Sequence, residues 1–124
     1  MKIILDTHIF LWVLGEPDKL SDKELFEIEA LSNLIYVSSI SIAEIMIKSS
    51  LGKLTVNFDP IEMVEKSGFS LLDFNAKDAC LLKELPYYHK DPFDRMLICQ
   101  SKANKFHIMS SDQKFSMYDC KRIK

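Results

Sequence analysis

Short apolar segments alternate with capped helical patterns along the whole chain, and this alternation is the strongest restriction on its fold. Mostly apolar strands suit a sheet that is buried on both faces, and helices between them suit parallel crossover connections. The strands are predicted at residues 2–5, 34–37, 70–72, 107–109 and, with the weakest pattern, 120–123. We therefore expect an α/β fold with a mostly parallel central sheet of about five strands.

Polar residues mark the predicted helix starts. Ser21 with Glu24, and Ser41 with Glu44, have the spacing of a capping box, and Gly52 is expected to end the second of these helices. The remaining helices are predicted to begin at Asp59-Pro60, Asn75 and Asp91-Pro92 and to end at Gly68, before Pro86 and near Asn104.

Length and composition predict one domain over residues 1–124. The chain has 124 residues, of which 48% are hydrophobic and 27% charged, and compact domains most often have about 100–150 residues. Cys80, Cys99 and Cys120 are odd in number and widely spaced, which favours free thiols in a reducing compartment; the first two fall in apolar helical patterns. An acid at position 6 is too early for a signal peptide, and no apolar run reaches the roughly 20 residues of a membrane span. We expect a soluble, cytoplasmic protein with no membrane partner.

Four acids are predicted to meet at one edge of the sheet. In parallel α/β folds the carboxyl ends of strands and the N-termini of helices share an edge, where ligands bind. Asp6 directly follows the first strand, and Asp112 follows the strand at 107–109 after two serines. Glu44 and Asp94 are each expected in the first turn of a helix. The topology thus gathers carboxylates from remote parts of the chain.

Carboxylates gathered in this way repel one another unless a cation compensates their charge. Ligands that are all oxygen favour Mg²⁺ or Mn²⁺ over zinc. Such an ion activates water and neutralises the charge that develops during phosphodiester hydrolysis. The formal net charge of −2 gives no global basic field, so RNA binding would depend on the metal or on a local basic patch.

Taken singly, most of these acids have a structural explanation. Glu44 could complete the capping box, and Asp91 could be a helix cap before proline. Asp94 could favour a helix dipole, and Asp112 could be a turn or cap residue. Asp6 is different, because an acid at the end of a buried strand needs a partner. The convergence of the acids carries the metal hypothesis.

At these residues the sequence resembles the PIN-domain family, and within it the VapC toxins of type II toxin–antitoxin systems. The resemblance covers essentially the whole chain and rests on Leu5-Asp6-Thr7-His8, Ser41-Ile42-Ala43-Glu44-Ile45, Gly52-Lys53-Leu54, His89-Lys90-Asp91-Pro92-Phe93-Asp94-Arg95-Met96-Leu97 and Ser111-Asp112. It implies a Rossmann-like α/β/α sandwich and metal-dependent RNA cleavage with Mg²⁺ or Mn²⁺. It also implies a cognate antitoxin bound over the site and a homodimer.

The resemblance also implies roles for particular residues. Asp6, Glu44 and Asp94 match the three main acidic positions around the metal of the family, and Asp112 matches the fourth. Thr7 matches the small hydroxyl residue after the first acid, and Asp91 matches a recurring acid beside the site. The sequence therefore predicts an endoribonuclease with Asp6, Glu44, Asp94 and Asp112 as catalytic and metal-binding residues, supported by Thr7 and Asp91.

Several neighbouring residues have two interpretations. His8 and His89 could contact substrate or serve in packing and hydrogen bonding. Arg95 could hold a phosphate or pair with an acid of its own helix. The lysines that could line an RNA path or be solvated surface charges are Lys48, Lys53 and Lys90. The residues that could form core, or a dimer or antitoxin surface, are Phe10, Leu11, Trp12 and Leu14.

Three other functions fit parts of the pattern. A phosphoacceptor receiver domain could use Asp73, but a single acid follows the first strand where receivers resemble one another in having a pair. A phosphatase could use Asp6 as nucleophile, but His8 stands where such enzymes usually carry a second acid. A catalytically silent PIN-like module that binds RNA or protein would share the whole pattern.

Overall fold

The computed structural model describes residues 1–123 and contains a parallel sheet enclosed by helices. Its strands are β1 (Lys2–Leu5), β2 (Leu34–Ser38), β3 (Ser70–Leu72) and β4 (His107–Met109), in the order β3-β2-β1-β4. Leu5 is paired with Val37 on one side and with Met109 on the other. The carboxyl ends of the central strands therefore meet at one edge, and the predicted α/β fold is confirmed.

The helices follow the predicted caps closely. Over residues 1–123 they are α1 (Thr7–Gly15), α2 (Asp22–Glu29), α3 (Ser39–Ser50), α4 (Pro60–Lys66), α5 (Ala76–Cys80) and α6 (Pro92–Asn104), with 3-10 turns at Pro17–Lys19, Leu81–Glu84 and Gln113–Met117. The predicted caps that are confirmed are Ser21, Asp59, Asn75 and Asp91. The helix expected from Asn75 to Pro86 changes to 3-10 geometry at Leu81.

The predicted capping box of Ser41 and Glu44 is wrong. β2 runs directly into α3, and the hydroxyl of Ser38 caps the helix by accepting the Ile40 N–H at 3.1 Å. Because α3 begins at Ser39, Glu44 lies in its second turn and has no capping role. Gly52, with φ +71°, follows the end of this helix as expected.

Two further elements differ from the prediction. No helix was predicted directly after β1, whereas α1 starts there and has Asp6 as its cap. The strand expected at residues 120–123 is reduced to one parallel bridge between Arg122 and Ile108. The Ile108 N–H donates to the Lys121 carbonyl at 2.7 Å, and the Ile123 N–H donates to the Ile108 carbonyl at 2.9 Å. This segment lies along the free edge of β4.

The sheet is buried on both faces by two apolar clusters. Alternate residues of β1 face opposite ways, with Ile3 and Leu5 in one cluster and Ile4 in the other. Phe115 and Cys99 are buried in the second cluster, and the burial of Cys99 agrees with its apolar sequence pattern, whereas Cys80, the last residue of α5, is exposed. Among residues 1–123, no helix has the combined length and apolar character that crossing a membrane would require. The assignment of one domain to the chain stays a prediction.

Candidate active site

Asp6 ends β1 and also starts α1. Its N–H donates to the Met109 carbonyl at 3.0 Å, and its Oδ1 accepts the Ile9 N–H at 2.8 Å. Burial raises the pKa of this carboxyl above its usual range; hydrogen bonds from the Ser110 side chain and the Ile9 backbone lower it, and the charge of Glu44 raises it. The acid expected at the strand end is therefore a buried helix cap beside a second acid.

Both carboxylate oxygens of Glu44 have donors within the protein. Oε1 lies 2.7 Å from Thr7 Oγ1, and Oε2 lies 2.6 Å from Lys48 Nζ, one helical turn further on. Thr7 Oγ1 is also 2.9 Å from Ser41 Oγ. Because a hydroxyl has one proton, Thr7 donates to Glu44 and accepts from Ser41. The side chain of Glu44 is 4% exposed. Its negative charge is therefore balanced by these contacts within the protein and not by solvent.

Asp91 and Asp94 lie at the start of α6. Oδ1 of Asp91 accepts the N–H of Phe93 at 2.8 Å and that of Asp94 at 3.0 Å, which confirms Asp91 as a helix cap. Burial is the main cause that raises the pKa of Asp94 to about 8. The charges of four other acids raise it further, namely Asp91, Asp6, Glu44 and Asp112. Asp94 is therefore the acid whose pKa is raised by the charges of all the other predicted acids.

His89 connects Asp94 with Asp112. Its Nε2 lies 3.0 Å from Oδ2 of Asp94 and 2.9 Å from Oδ2 of Asp112. Oδ1 of Asp112 accepts the Lys114 N–H at 2.9 Å. Burial raises the pKa of Asp112, but the hydrogen bonds from Lys114 and His89 outweigh burial and hold it below its usual range. The two acids joined by His89 thus differ in how well the protein stabilises their charge.

The predicted acids share one neighbourhood but not one tight cluster. In the part of the chain that the structure describes, a group of three possible metal-ligand atoms within 4.8 Å of one another is formed by His89, Asp94 and Asp112. Asp6 and Glu44 act on Asp94 through their charges and are outside this group. Their gathering at one sheet edge follows the predicted topology, and the assignment of the four acids as metal ligands stays a prediction.

Arg95 faces away from the acids. Its Nη1 donates to the carbonyls of Pro86 at 2.8 Å and His89 at 3.3 Å, and its Nη2 donates to that of Leu85 at 3.1 Å. Its guanidinium carbon is 3.7 Å from the centre of the Tyr87 ring. Of the two interpretations given for Arg95, the pairing with an acid of its own helix is therefore wrong. Arg95 instead fixes the loop that carries His89 into α6.

The place of His89 in the sequence could have indicated its contact with the acids of the site. A residue two places before the cap of α6 lies next to the first turn, where Asp94 is. Asp112 was predicted at the same edge of the sheet, but its contact with His89 was not predicted, because it joins residues 23 positions apart. His8 is exposed, and its charge lowers the pKa of Asp6. Asp73, the acceptor of the receiver alternative, is exposed after β3 and is not among the acids that act on Asp94.

The fold and the site can now be compared with known proteins. A family model described as the PIN domain matches residues 3–120. No curated protein is significantly similar to the chain in sequence.

Three solved structures have the same fold. VapBC2 from Rickettsia felis, bound to a DNA fragment from its promoter, is similar with a TM-score of 0.72 and 19% identity, covering 96% of this chain and 94% of the other. DNA-bound VapBC from Salmonella typhimurium has a TM-score of 0.65 and 19% identity, with 100% and 97% covered. FitAcB from Neisseria gonorrhoeae has a TM-score of 0.65 and 16% identity, with 98% and 96% covered. At these identities the likeness is one of fold.

Proposed function

The chain belongs to the PIN domain family, and from that premise we propose that it is a metal-dependent endoribonuclease and the toxin of a toxin–antitoxin pair. In this proposal it hydrolyses RNA phosphodiesters at the acidic cluster around Asp94. The proposed catalytic and metal-binding acids are Asp6, Glu44, Asp94 and Asp112, with Thr7 and Asp91 in support. The alternative within the family is a catalytically silent module that binds RNA or protein.

The unbalanced charge around Asp94 is the observation that carries this proposal. Burial and four neighbouring acids raise its pKa to about 8, and Arg95, the residue next to it, donates to backbone carbonyls instead. A divalent cation would compensate this charge. Since the possible metal-ligand atoms around it are mainly carboxylate oxygens, the site fits Mg²⁺ or Mn²⁺ better than zinc.

The residues of the site would have different roles in the reaction. When bound, Mg²⁺ or Mn²⁺ would supply an activated water and neutralise charge on the phosphate. Asp94 must lose its proton to act as a ligand, which favours activity at higher pH. Thr7 orients Glu44 through its hydroxyl, at 2.7 Å from Oε1. Asp91 fixes the first turn of α6 and with it the backbone of Asp94.

A cleft beside the acids supports RNA as the substrate. Its volume is about 580 Å³, and its lining includes Thr7 and Glu44 together with Lys19, Lys48 and Lys53. A chain with a net charge of −2 needs a local basic region to attract a polyanion. In this lining Lys19 and Lys48 are paired with Glu16 and Glu44, and Lys53 adds a third positive charge. Two of the three lysines proposed from the sequence for the RNA path therefore lie in one cleft with two residues of the site.

A cognate antitoxin and a second copy of the chain are the proposed protein partners, in the cytoplasm. The similar VapBC structures from two organisms support the first. The homodimer follows from the family resemblance. Size-exclusion chromatography with light scattering at micromolar concentration should give twice the mass of 14.4 kDa. A strict monomer would contradict the dimer and leave the nuclease proposal intact.

The test of the function is a titration of the purified protein with Mg²⁺ or Mn²⁺ in the presence of structured RNA. Wild type is compared with Asp94→Asn and with Asp18→Asn, which changes an exposed acid in a 3-10 turn that is not among the acids acting on Asp94. We expect metal-dependent cleavage by wild type and Asp18→Asn, and none by Asp94→Asn. Metal binding without cleavage of any RNA tested would favour the silent module, and the absence of metal binding would overturn the proposal.

A further inference from the structure

His89 is held in place by the protein at four points. Its N–H donates to the Tyr118 hydroxyl at 2.8 Å, and its carbonyl accepts from Arg95 Nη1 at 3.3 Å. Its ring packs edge-on against Phe115, with the ring centres 5.9 Å apart. Its Nδ1 accepts the Asp91 N–H at 3.2 Å. With 7% of the side chain exposed, the ring has a fixed place and orientation.

The contact with Asp91 determines which ring nitrogen carries the proton. A backbone N–H can only donate, so Nδ1 of His89 must present its lone pair. The proton of the neutral ring is then on Nε2, an assignment that follows from the hydrogen-bond network. Nε2 lies within 3.0 Å of a carboxyl oxygen of Asp94 and within 2.9 Å of one of Asp112. The N–H group therefore faces the two acids, and its hydrogen bond goes to Asp112.

We propose that His89 is a positioning residue of the active site, whose Nε2–H donates to Asp112 and lies beside Asp94, so that it sets the spacing of their carboxyl groups. The inference rests on the proposed function, because this spacing matters for activity only if the two acids take part in metal binding. Asp112 is held at both oxygens, by Lys114 and by His89. Asp94, on a different element, lies 3.0 Å from the same nitrogen.

The same contact argues against His89 as a metal ligand, although its Nε2 belongs to the close group with the two acids. A neutral ring that offers Nε2 as a ligand carries its proton on Nδ1. That proton would face the Asp91 N–H, so two donors would meet with no acceptor between them. An outer role for His89 leaves oxygen atoms as the protein ligands, in keeping with Mg²⁺ or Mn²⁺.

Histidine NMR tests the tautomer without RNA. Two-bond ¹H–¹⁵N spectra of the wild-type protein should show one of its three histidines with a protonated Nε2 and an unprotonated Nδ1. This spin system should vanish in His89→Gln and should persist when Mg²⁺ is added. A ring protonated at both nitrogens, or a proton that moves to Nδ1 on addition of Mg²⁺, would overturn the proposal.

Two substitutions separate the donor from the bulk of the ring. The amide of glutamine reaches about as far as Nε2, whereas that of asparagine is one methylene shorter. By calorimetry, His89→Gln should keep the Mg²⁺ affinity within about threefold of wild type and His89→Asn should lose about tenfold or more, as partners of metal ligands usually do. His107→Gln, in β4, is the control and should bind as wild type does.

The outcomes distinguish this inference from the nuclease proposal. Wild-type affinity in both His89 variants would overturn the positioning role. If His89→Asn is unfolded by circular dichroism, the NMR result and His89→Gln decide. If the tautomer and the affinities are as expected and no RNA is cleaved, His89 positions the acids of a site that is not a nuclease. If RNA is cleaved and His89 does not carry its proton on Nε2 alone, the nuclease proposal is supported and the positioning role of His89 is rejected.

Discussion

Glu44 and Asp94 lie at the same edge of the sheet, and the protein surrounds them in opposite ways. Glu44 has a hydroxyl donor from Thr7 at one oxygen and the ammonium of Lys48 at the other. Asp94 is 18% exposed in its side chain and lies 3.0 Å from Nε2 of His89, whose hydrogen bond goes to Asp112. Its pKa rises to about 8, whereas the pairing with Glu44 raises the pKa of Lys48.

The two sides of the site therefore differ in what the protein provides: Glu44 is held in place by its partners, and Asp94 has no compensating positive charge from them. On the α3 side the protein supplies its own cation and a hydroxyl donor, and both offset the cost of removing the charge of Glu44 from water. On the α6 side the donor of His89 goes to Asp112 and Arg95 donates to carbonyls. Asp94 therefore keeps its proton up to about pH 8 unless an external cation compensates its charge. The site is thus rigid on one side and electrostatically unsatisfied on the other.

The largest expected effect comes from removing each carboxylate in turn. Asp94→Asn and Glu44→Gln should both reduce RNA cleavage on the order of 1,000-fold, because each removes charge that stabilises the transition state. Their effects on stability should have opposite signs. Asp94→Asn removes a repelled acid and should keep or raise the free energy of unfolding at pH 7, whereas Glu44→Gln breaks a satisfied pair and should lower it.

Urea unfolding of both variants, without metal, measures that difference. Asp18→Asn, at an exposed position, controls for the loss of one negative charge. A loss of stability in Asp94→Asn equal to that of Glu44→Gln would contradict the contrast between the two sides.

The next effect is a dependence of stability on pH. The pKa of Asp94 rises from 3.8 to about 8 on folding, so the folded state keeps a proton that the unfolded state has lost. This stabilisation is complete below pH 3.8 and is lost as the pH rises through about 8. Within that window the free energy of unfolding should fall by at most about 1.4 kcal/mol per pH unit.

Urea titrations between pH 4 and 9 without metal check this slope. It should be smaller in Asp94→Asn, where the raised pKa of Asp6 leaves a residual slope of the same sign. An identical slope in wild type and Asp94→Asn would show that Asp94 is not the group that titrates.

The gathering of the acids was predictable because it depends on local signals and one topological rule. Apolar runs located the strands, and Ser21, Asp59, Asn75 and Asp91 located helix starts through short-range hydrogen bonds. The rule that strand ends and helix starts share an edge then brought Asp6 and Asp94 together. These signals lie within a few residues of the position that they determine.

The partners of the acids were not predictable, because they are tertiary contacts. Thr7 meets Glu44 across 37 residues of sequence, and His89 meets Asp112 across 23. The carbonyl groups that bind Arg95 belong to an irregular loop with no sequence signature. The helix α1 was missed for another reason, since its cap, Asp6, was already accounted for as the acid at the end of β1.

A smaller effect is expected from the hydroxyl that holds Glu44. Thr7→Val keeps the shape of the side chain but removes the donor to Glu44 and the acceptor of Ser41, so it should lower the free energy of unfolding by about 1–3 kcal/mol. Thr7→Ser restores the hydroxyl and should recover most of that stability and of the cleavage rate. Thermal and urea unfolding provide the comparison, and equal stability of both variants would show that packing of the methyl group matters more than the hydrogen bond.

The smallest effect tests whether Lys48 is what makes the two sides differ. Lys48→Met removes the cation from Glu44, so this acid should come to resemble Asp94 in its need for an external charge. We expect a loss of stability of about 1 kcal/mol or less without metal, since Lys48 is partly exposed. The Mg²⁺ affinity should rise by roughly threefold to tenfold at low salt and by less at high salt.

Lys66→Met is the matched control for this last change. Lys66 and Glu62 form a pair with the same i,i+4 spacing at 2.8 Å, but both side chains are more than half exposed. Its loss should therefore alter stability by less than about 0.5 kcal/mol and leave Mg²⁺ binding unchanged. If Lys48→Met also leaves Mg²⁺ binding unchanged, then Glu44 is not close enough to the bound ion to sense it. The metal would in that case be held by the α6 side, where Asp94 and Asp112 meet through His89.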